Sequence, residues 1–384
     1  MSYVGLLVAG YQEMRKVLAV LCLALASSMP GWSSAAGCGV PESWHSWKKF
    51  REARISPEGR VIDHSDARRI TTSEGQGYAM FFALVDNDPV LFRRLLRWTE
   101  RHLALGDLTA RLPAWLWGER RPGDWDVLDA NSASDADSWI AYSLLEAGRL
   151  WNEHSYTAVG TLLLQRIAKE EVVRLPGFGS VLLPGKTGFV HEASWRLNPS
   201  YMPPQLIAAF KRSQPAEPWI SLYDNTNRFL IASSPKGLAP DWTNWTGTRF
   251  EPLSDAEHEG SYDAIRVYLW VGMLNAEAPG AIALKEHFRG IESYFGPDAS
   301  VPERLDIYKG RASGIGPPGF AASLLPLFNG HGAAQDLRDR VASSQHESLG
   351  YFSQALILFG EGWDQGRFRF NADGSLAPHW KGCP

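Results

Sequence analysis

Cysteine is scarce, with three residues in a chain of 384. No Cys-x-x-Cys or His-Glu-x-x-His occurs, and nothing has structural-zinc spacing. A zinc ribbon, a dithiol redox motif and a zincin-type protease are therefore excluded. Neither sign of charge dominates: 38 Lys and Arg face 42 Asp and Glu, a formal charge of −4. That argues against a strongly basic nucleic-acid binder. The apolar run at 17–26 holds ten residues, too few to span a bilayer. No low-complexity linker interrupts residues 38–384, which predicts one domain.

That apolar run is an address. Arg15 and Lys16 precede it and Ser34-Ala35-Ala36 follow, the layout of a secretory signal peptide. The expected division is a signal peptide at 1–36 and one catalytic domain at 37–384, with Met14 an alternative start. Localisation is expected to be periplasmic or secreted after cleavage near Ala36. Cys38 and Cys383 then remain, at opposite ends of an exported chain. They read either as one disulfide joining the termini or as two unpaired thiols.

Aromatic residues are abundant, with 16 Trp, 12 Tyr and 17 Phe. Apolar periodicity predicts about twelve helices, separated by Gly/Pro/Asn-rich loops such as Pro184-Gly185-Lys186-Thr187-Gly188. Asp88-Pro89 reads as cap and first turn of a helix carrying Leu91, Phe92, Leu95, Leu96 and Leu103. Ser155 reads as the cap of another. Tyr262–Leu274 is apolar nearly all round, whereas 333–343 is amphipathic. Alternating inner and outer helices would produce that contrast. Periodicity by itself supports an all-α single domain.

Three acidic segments stand out. In Ser73-Glu74-Gly75-Gln76-Gly77-Tyr78, Ser73 reads as an N-cap that places Glu74 in a first helical turn. Asp135 and Asp137 open a second helix, with Asp137 as its expected cap. Asp263 is read inside an apolar helix, with Arg266 three residues on and able to pair with it. Each alone has a plain capping or ion-pair explanation. Together with the Trp complement they suggest sugar chemistry, because glycosidic hydrolysis requires two carboxyls and pyranose faces lie on aromatic rings. Trp115, Trp117 and Trp195 are candidate platforms.

Residues 133–151, opening Ala133-Ser134-Asp135-Ala136-Asp137-Ser138-Trp139, resemble the signature of glycoside hydrolase family 8 along its length. The Thr72–Met80 and Ser261–Arg266 segments fit that family too. Segments at 59–63, 111–118, 182–186 and 362–370 resemble its branch of periplasmic endoglucanases from cellulose-synthase systems. The resemblance spans nearly all of 38–384. It implies an (α/α)6 barrel, a toroid of about twelve helices with short β-hairpin loops. It implies an inverting endo-β-1,4-glucanase acting on a cellulose chain, without metal or cofactor. It also implies a monomer and functional association with a cellulose synthase complex. Glu74 matches the family's general acid, Asp263 its general base, and Asp135 the acid that holds the distorted sugar. Arg266 matches the arginine that steadies the base, with Tyr262 beside it. Gln76 and Tyr201 are carried as substrate contacts. Val267-Tyr268 stands where many members have proline, which bears on the finer subsite contacts. The same fold acting on chitosan, xylan or mixed-linkage glucan, and a glucan-guiding protein that does not cut, are the competing readings.

Overall fold

A computed structural model describes residues 43–252, 254, 258–344 and 349–381. The expected signal peptide at 1–36 and both Cys38 and Cys383 lie outside the described residues.

Twelve α-helices occur among the described residues, and they alternate in kind. The helices Ser73–Val85, Ser134–Trp151, Pro204–Ser213, Ile265–Gly272, Pro318–Phe328 and Tyr351–Asp364 are buried over most of their surface. The other six are His45–Arg54, Pro89–Leu103, His154–Glu170, Trp219–Ser233, Ala281–Phe288 and Ala333–Ala342. Each of these buries only a stripe, such as Ala334, Leu337 and Val341 in the last. Each of the first five buried helices packs against the amphipathic helix that follows it. Such hairpins reverse the chain, so the buried helices all start at one end of the domain.

The expected all-α class holds, and short antiparallel hairpins fill the connections. Leu116–Arg121 pairs with Asp124–Asp129, and Val172–Leu175 with Gly179–Leu182. Three expected caps move by one to four residues. Asp88 caps Pro89–Leu103 as expected, its Oδ1 accepting from Leu91 N at 2.9 Å. Thr72, however, caps the Glu74 helix, because its hydroxyl accepts from Gly75 N while Ser73 is already helical. Glu153 replaces Ser155, and Asp137 caps nothing. Asp263 precedes its helix instead of sitting inside it.

The core is aromatic. Phe359 lies 5.0 Å from Tyr78, 4.6 Å from Phe82 and 5.0 Å from Trp139, so the last buried helix packs on the first. Burying each such ring contributes roughly 3 kcal/mol. Glycine lets the buried helices approach. A Cβ on Gly77 would press on Ala136 O and Trp139 Cβ at 3.3 Å, and one on Gly360 would meet Ala322 O at 1.9 Å. Gly360→Ala is therefore expected to destabilise the fold by about 1–3 kcal/mol through overpacking, measured as a lower urea midpoint with unchanged slope.

Candidate active site

Glu74 stands in the first turn of a helix whose position is fixed from outside. Thr71–Thr72 pairs with Leu116–Trp117, and Ser73 N donates to Trp115 O at 3.0 Å. Asp135 is the second residue of Ser134–Trp151, and its Oδ1 accepts from Ala136 N. Asp263 sits in the turn before Ile265–Gly272. That turn is clasped by Asp241, whose Oδ1 accepts from Ser261 N, Asp263 N and Ala264 N at 2.8, 3.1 and 2.8 Å.

The three acids converge on Arg266, whose side chain is 3% exposed. Nη1 donates to Glu74 Oε2 at 2.5 Å, to Asp135 Oδ2 at 2.8 Å and to the Tyr78 hydroxyl at 3.2 Å. Nη2 donates to Asp263 Oδ1. Glu74 and Asp263 thus occupy different nitrogens, with the guanidinium between them. The Tyr351 hydroxyl donates to the other Glu74 oxygen at 3.3 Å. Tyr201 and Phe352 flank the guanidinium, their ring centroids 5.5 and 5.7 Å from Cζ. Exposure separates the acids. The Asp135 side chain is 4% exposed, but Glu74 at 18% and Asp263 at 27% reach solvent.

One cation facing three acids does not balance. Burial pushes Glu74 from 4.5 up to about 7; Arg266 opposes this, and the charges of Asp135 and Asp263 add to it. Burial also raises Asp135, again against Arg266. Asp241 is raised to about 6 by burial and then by Asp263. Near neutral pH the arrangement therefore keeps a proton on Glu74. Oε2 accepts from the charged guanidinium and Oε1 only from the neutral Tyr351 hydroxyl, so the proton belongs on Oε1.

Several candidates do not belong to this cluster. Gln76 faces away and is fully engaged: its Oε1 accepts from Val61 N, and its Nε2 donates to Gly59 O, Leu95 O and Thr99 Oγ1. It fastens the Glu74 helix to the 59–61 loop and is not a sugar contact. Trp117 is buried with Trp98 and Leu103, stacked on Trp125 at 5.3 Å under the Arg60 guanidinium, so it is no open platform. Tyr262 is 42% exposed, edge-on to Phe320, with its hydroxyl on Glu303. Trp115 is half-buried at the start of the Glu74 helix, and Trp195 is half-buried in a strand opposite Trp245. Sequence reasoning missed Tyr78, Tyr351, Phe352 and Asp241. Tyr78 was findable, four residues after Glu74 on one helical face. The other three carry no local signal.

The comparisons bear on this geometry. The family model described as glycosyl hydrolases family 8 matches residues 16–366. The chain belongs to that family. It is 50% identical over 339 residues to an endoglucanase of Salmonella typhi, covering 88% of this chain and 91% of that one. It is 47% identical over 353 residues to an endoglucanase of Escherichia coli K12, covering 92% and 94%. The solved endo-1,4-D-glucanase of Vibrio fischeri ES114 superposes with a TM-score of 0.84 at 44% identity, covering 88% of this chain and all of that one. This family 8 protein is a glycoside hydrolase, an endoglucanase, and its family implies a β-glucan substrate.

A second acid pair lies behind the site. Asp137 and Glu171 are both buried and face each other, and Glu171 accepts from Ser132 at 2.6 Å. Burial and the neighbouring Glu171 charge push Asp137 well up, and burial lifts Glu171 from 4.5 to about 8. A raised carboxyl binds protons more tightly folded than unfolded. Its stabilisation is complete below about pH 4 and is lost as pH rises through 8. The melting temperature should therefore fall from about pH 5 to about pH 8 and level off above, and Glu171→Gln should flatten that fall in calorimetric scans.

Proposed function

We propose that the protein is an inverting endo-β-1,4-glucanase that cuts cellulose chains in the periplasm, in functional association with a cellulose synthase complex. The observation that carries the mechanism is the pair of solvent-reaching carboxyls, Glu74 and Asp263, on separate nitrogens of Arg266. The Arg15–Ala36 segment supports export, and the motif resemblance to the cellulose-synthase branch supports the association. The alternation of six buried and six amphipathic helices fits an (α/α)6 barrel.

Glu74 is the general acid. Its Oε1 gives the proton to the glycosidic oxygen, and the resulting carboxylate is received by Arg266 and Tyr351. Asp263 is the general base: it takes a proton from the water that attacks the anomeric carbon from the opposite face. Inversion needs carboxyls about 6.5–9.5 Å apart to admit that water, whereas retention needs about 5 Å. Asp135, nearly closed to solvent, holds Arg266 and, through its remaining exposed edge, the distorted sugar instead of moving a proton. Trp115, Trp195, Tyr201 and Tyr262 are the proposed sugar contacts.

Glu74→Gln and Asp263→Asn should each lower turnover of cello-oligosaccharides by about 10²–10⁴-fold with little change in melting temperature. Proton NMR of fresh product should show the α-anomer first; the β-anomer first would overturn the inverting assignment. The rate should fall as pH rises through about 7, where Glu74 gives up its proton. A profile of kcat/KM against pH without a limb near 7 would remove Glu74 from the acid role.

A further inference from the structure

Away from the three acids, a cavity of about 370 Å³ opens between the 56–62 loop and the C-terminal half of Pro89–Leu103. Arg60, Arg94, Arg97 and Arg101 line it, with Trp98 and His102; Glu58 is the one acid among its lining residues. We propose that this cavity is a binding site for a sugar-sized phosphomonoester, with the phosphate on the arginines and the sugar against the Trp98–His102 wall.

The first argument is charge. Arg94, Arg97 and Arg101 follow at i, i+3 and i+7 on one helical face, a spacing at which like charges repel. Arg60 adds a fourth guanidinium from the loop. The chain carries net negative charge, and a neutral glucan can accept hydrogen bonds from these cations but cannot neutralise them. The concentration of positive charge also marks its neighbours. Burial, then Arg101 and Arg60, hold His102 below its ordinary value, and burial with repulsion from Arg69 lowers Arg60 to about 10. An oxyanion relieves all of these repulsions at once. Phosphate offers a dianion with oxygens that match the guanidinium fork.

The second argument is preorganisation. Arg60 is held in place: its Nε donates to Thr71 Oγ1 at 2.8 Å and its guanidinium lies over Trp117 and Trp125 at 4.4 and 4.8 Å. Arg94 donates to Pro57 O at 3.1 Å. Arg97 and Arg101 are exposed and free to close on a ligand. Two fixed cations and two adjustable ones reduce the ordering cost of binding. The third argument is size. About 370 Å³ lies within the range of small-molecule sites and exceeds what inorganic phosphate fills. Trp98 is buried beneath His102, stacked on it at 4.7 Å and 25°, so the half-buried imidazole is the face this wall offers a pyranose.

The test is titration calorimetry on the full chain with glucose 6-phosphate, inorganic phosphate, glucose, and vesicles containing anionic phospholipid. The expected result is one saturable site for glucose 6-phosphate, at least about tenfold tighter than inorganic phosphate, with no binding of glucose. The double variant Arg97→Glu/Arg101→Glu should weaken it about tenfold or more, with cellohexaose hydrolysis and melting temperature unchanged. In NMR titrations the bound ester should raise the pKa of His102. Absence of saturable binding, equal affinity in the double variant, inorganic phosphate binding as tightly as the ester, or binding to vesicles alone would overturn the proposal.

Discussion

The active centre rests on one guanidinium shared by three carboxyls. A buried arginine with a single acid partner would leave most of its donors empty. Arg266 instead spends Nη1 on Glu74, Asp135 and Tyr78, and Nη2 on Asp263. Removing Arg266 would leave all three carboxyls without their cation, which is costly. The cluster is also deliberately short of positive charge. One cation cannot neutralise three carboxylates, so a proton stays on Glu74, where burial outweighs Arg266. The acid function of Glu74 is thus a consequence of the charge count as much as of its own surroundings.

The alternation of buried and amphipathic helices makes this meeting geometrically available. Because hairpins reverse direction, the buried helices begin at one end. Glu74, Asp135, Asp263 and Tyr351 come from the starts of four of them. Helix N-termini favour negative charge, by about 0.3–1 kcal/mol each when exposed. That field works against the desolvation that raises Glu74 and Asp135. Position along the helix also explains the supports: Thr72 fixes the turn that carries Glu74, and Asp241 gathers three backbone N–H groups around Asp263.

What the sequence made legible follows from the same geometry. Glu74, Asp135 and Asp263 lie in segments with strong local character, each read as a helix start or as an ion pair with Arg266, and helix starts are where this fold keeps its chemistry. Alternating apolar and amphipathic periodicity gave the twelve helices. Local reading failed where a side chain's direction decides its role. Gln76 is two residues from Glu74 and turns to the opposite side, where it locks a loop. Trp117 is two residues from Trp115 in a strand that pairs on both sides, and it is sealed under Trp125 and Arg60. Asp241 and Tyr351 reach the centre from 22 residues before Asp263 and 277 residues after Glu74. No spacing rule joins such positions; only packing does.

The two acid systems on Ser134–Trp151 show what separates a catalytic carboxyl from a structural one. Asp135 and Asp137 are two residues apart, and both are raised by burial. Asp135 faces Arg266 and stands next to acids that reach solvent. Asp137 faces Glu171, with no guanidinium paired to either among the described residues, and burial holds protons on the pair. A raised pKa alone does not distinguish them, since Glu171 is lifted further than Glu74. Access does: Glu74 retains an open edge and Glu171 has none. A proton held tightly in a closed place stabilises the fold against acid; the same proton at an open edge, with a cation ready to receive the charge it leaves, is available to a substrate.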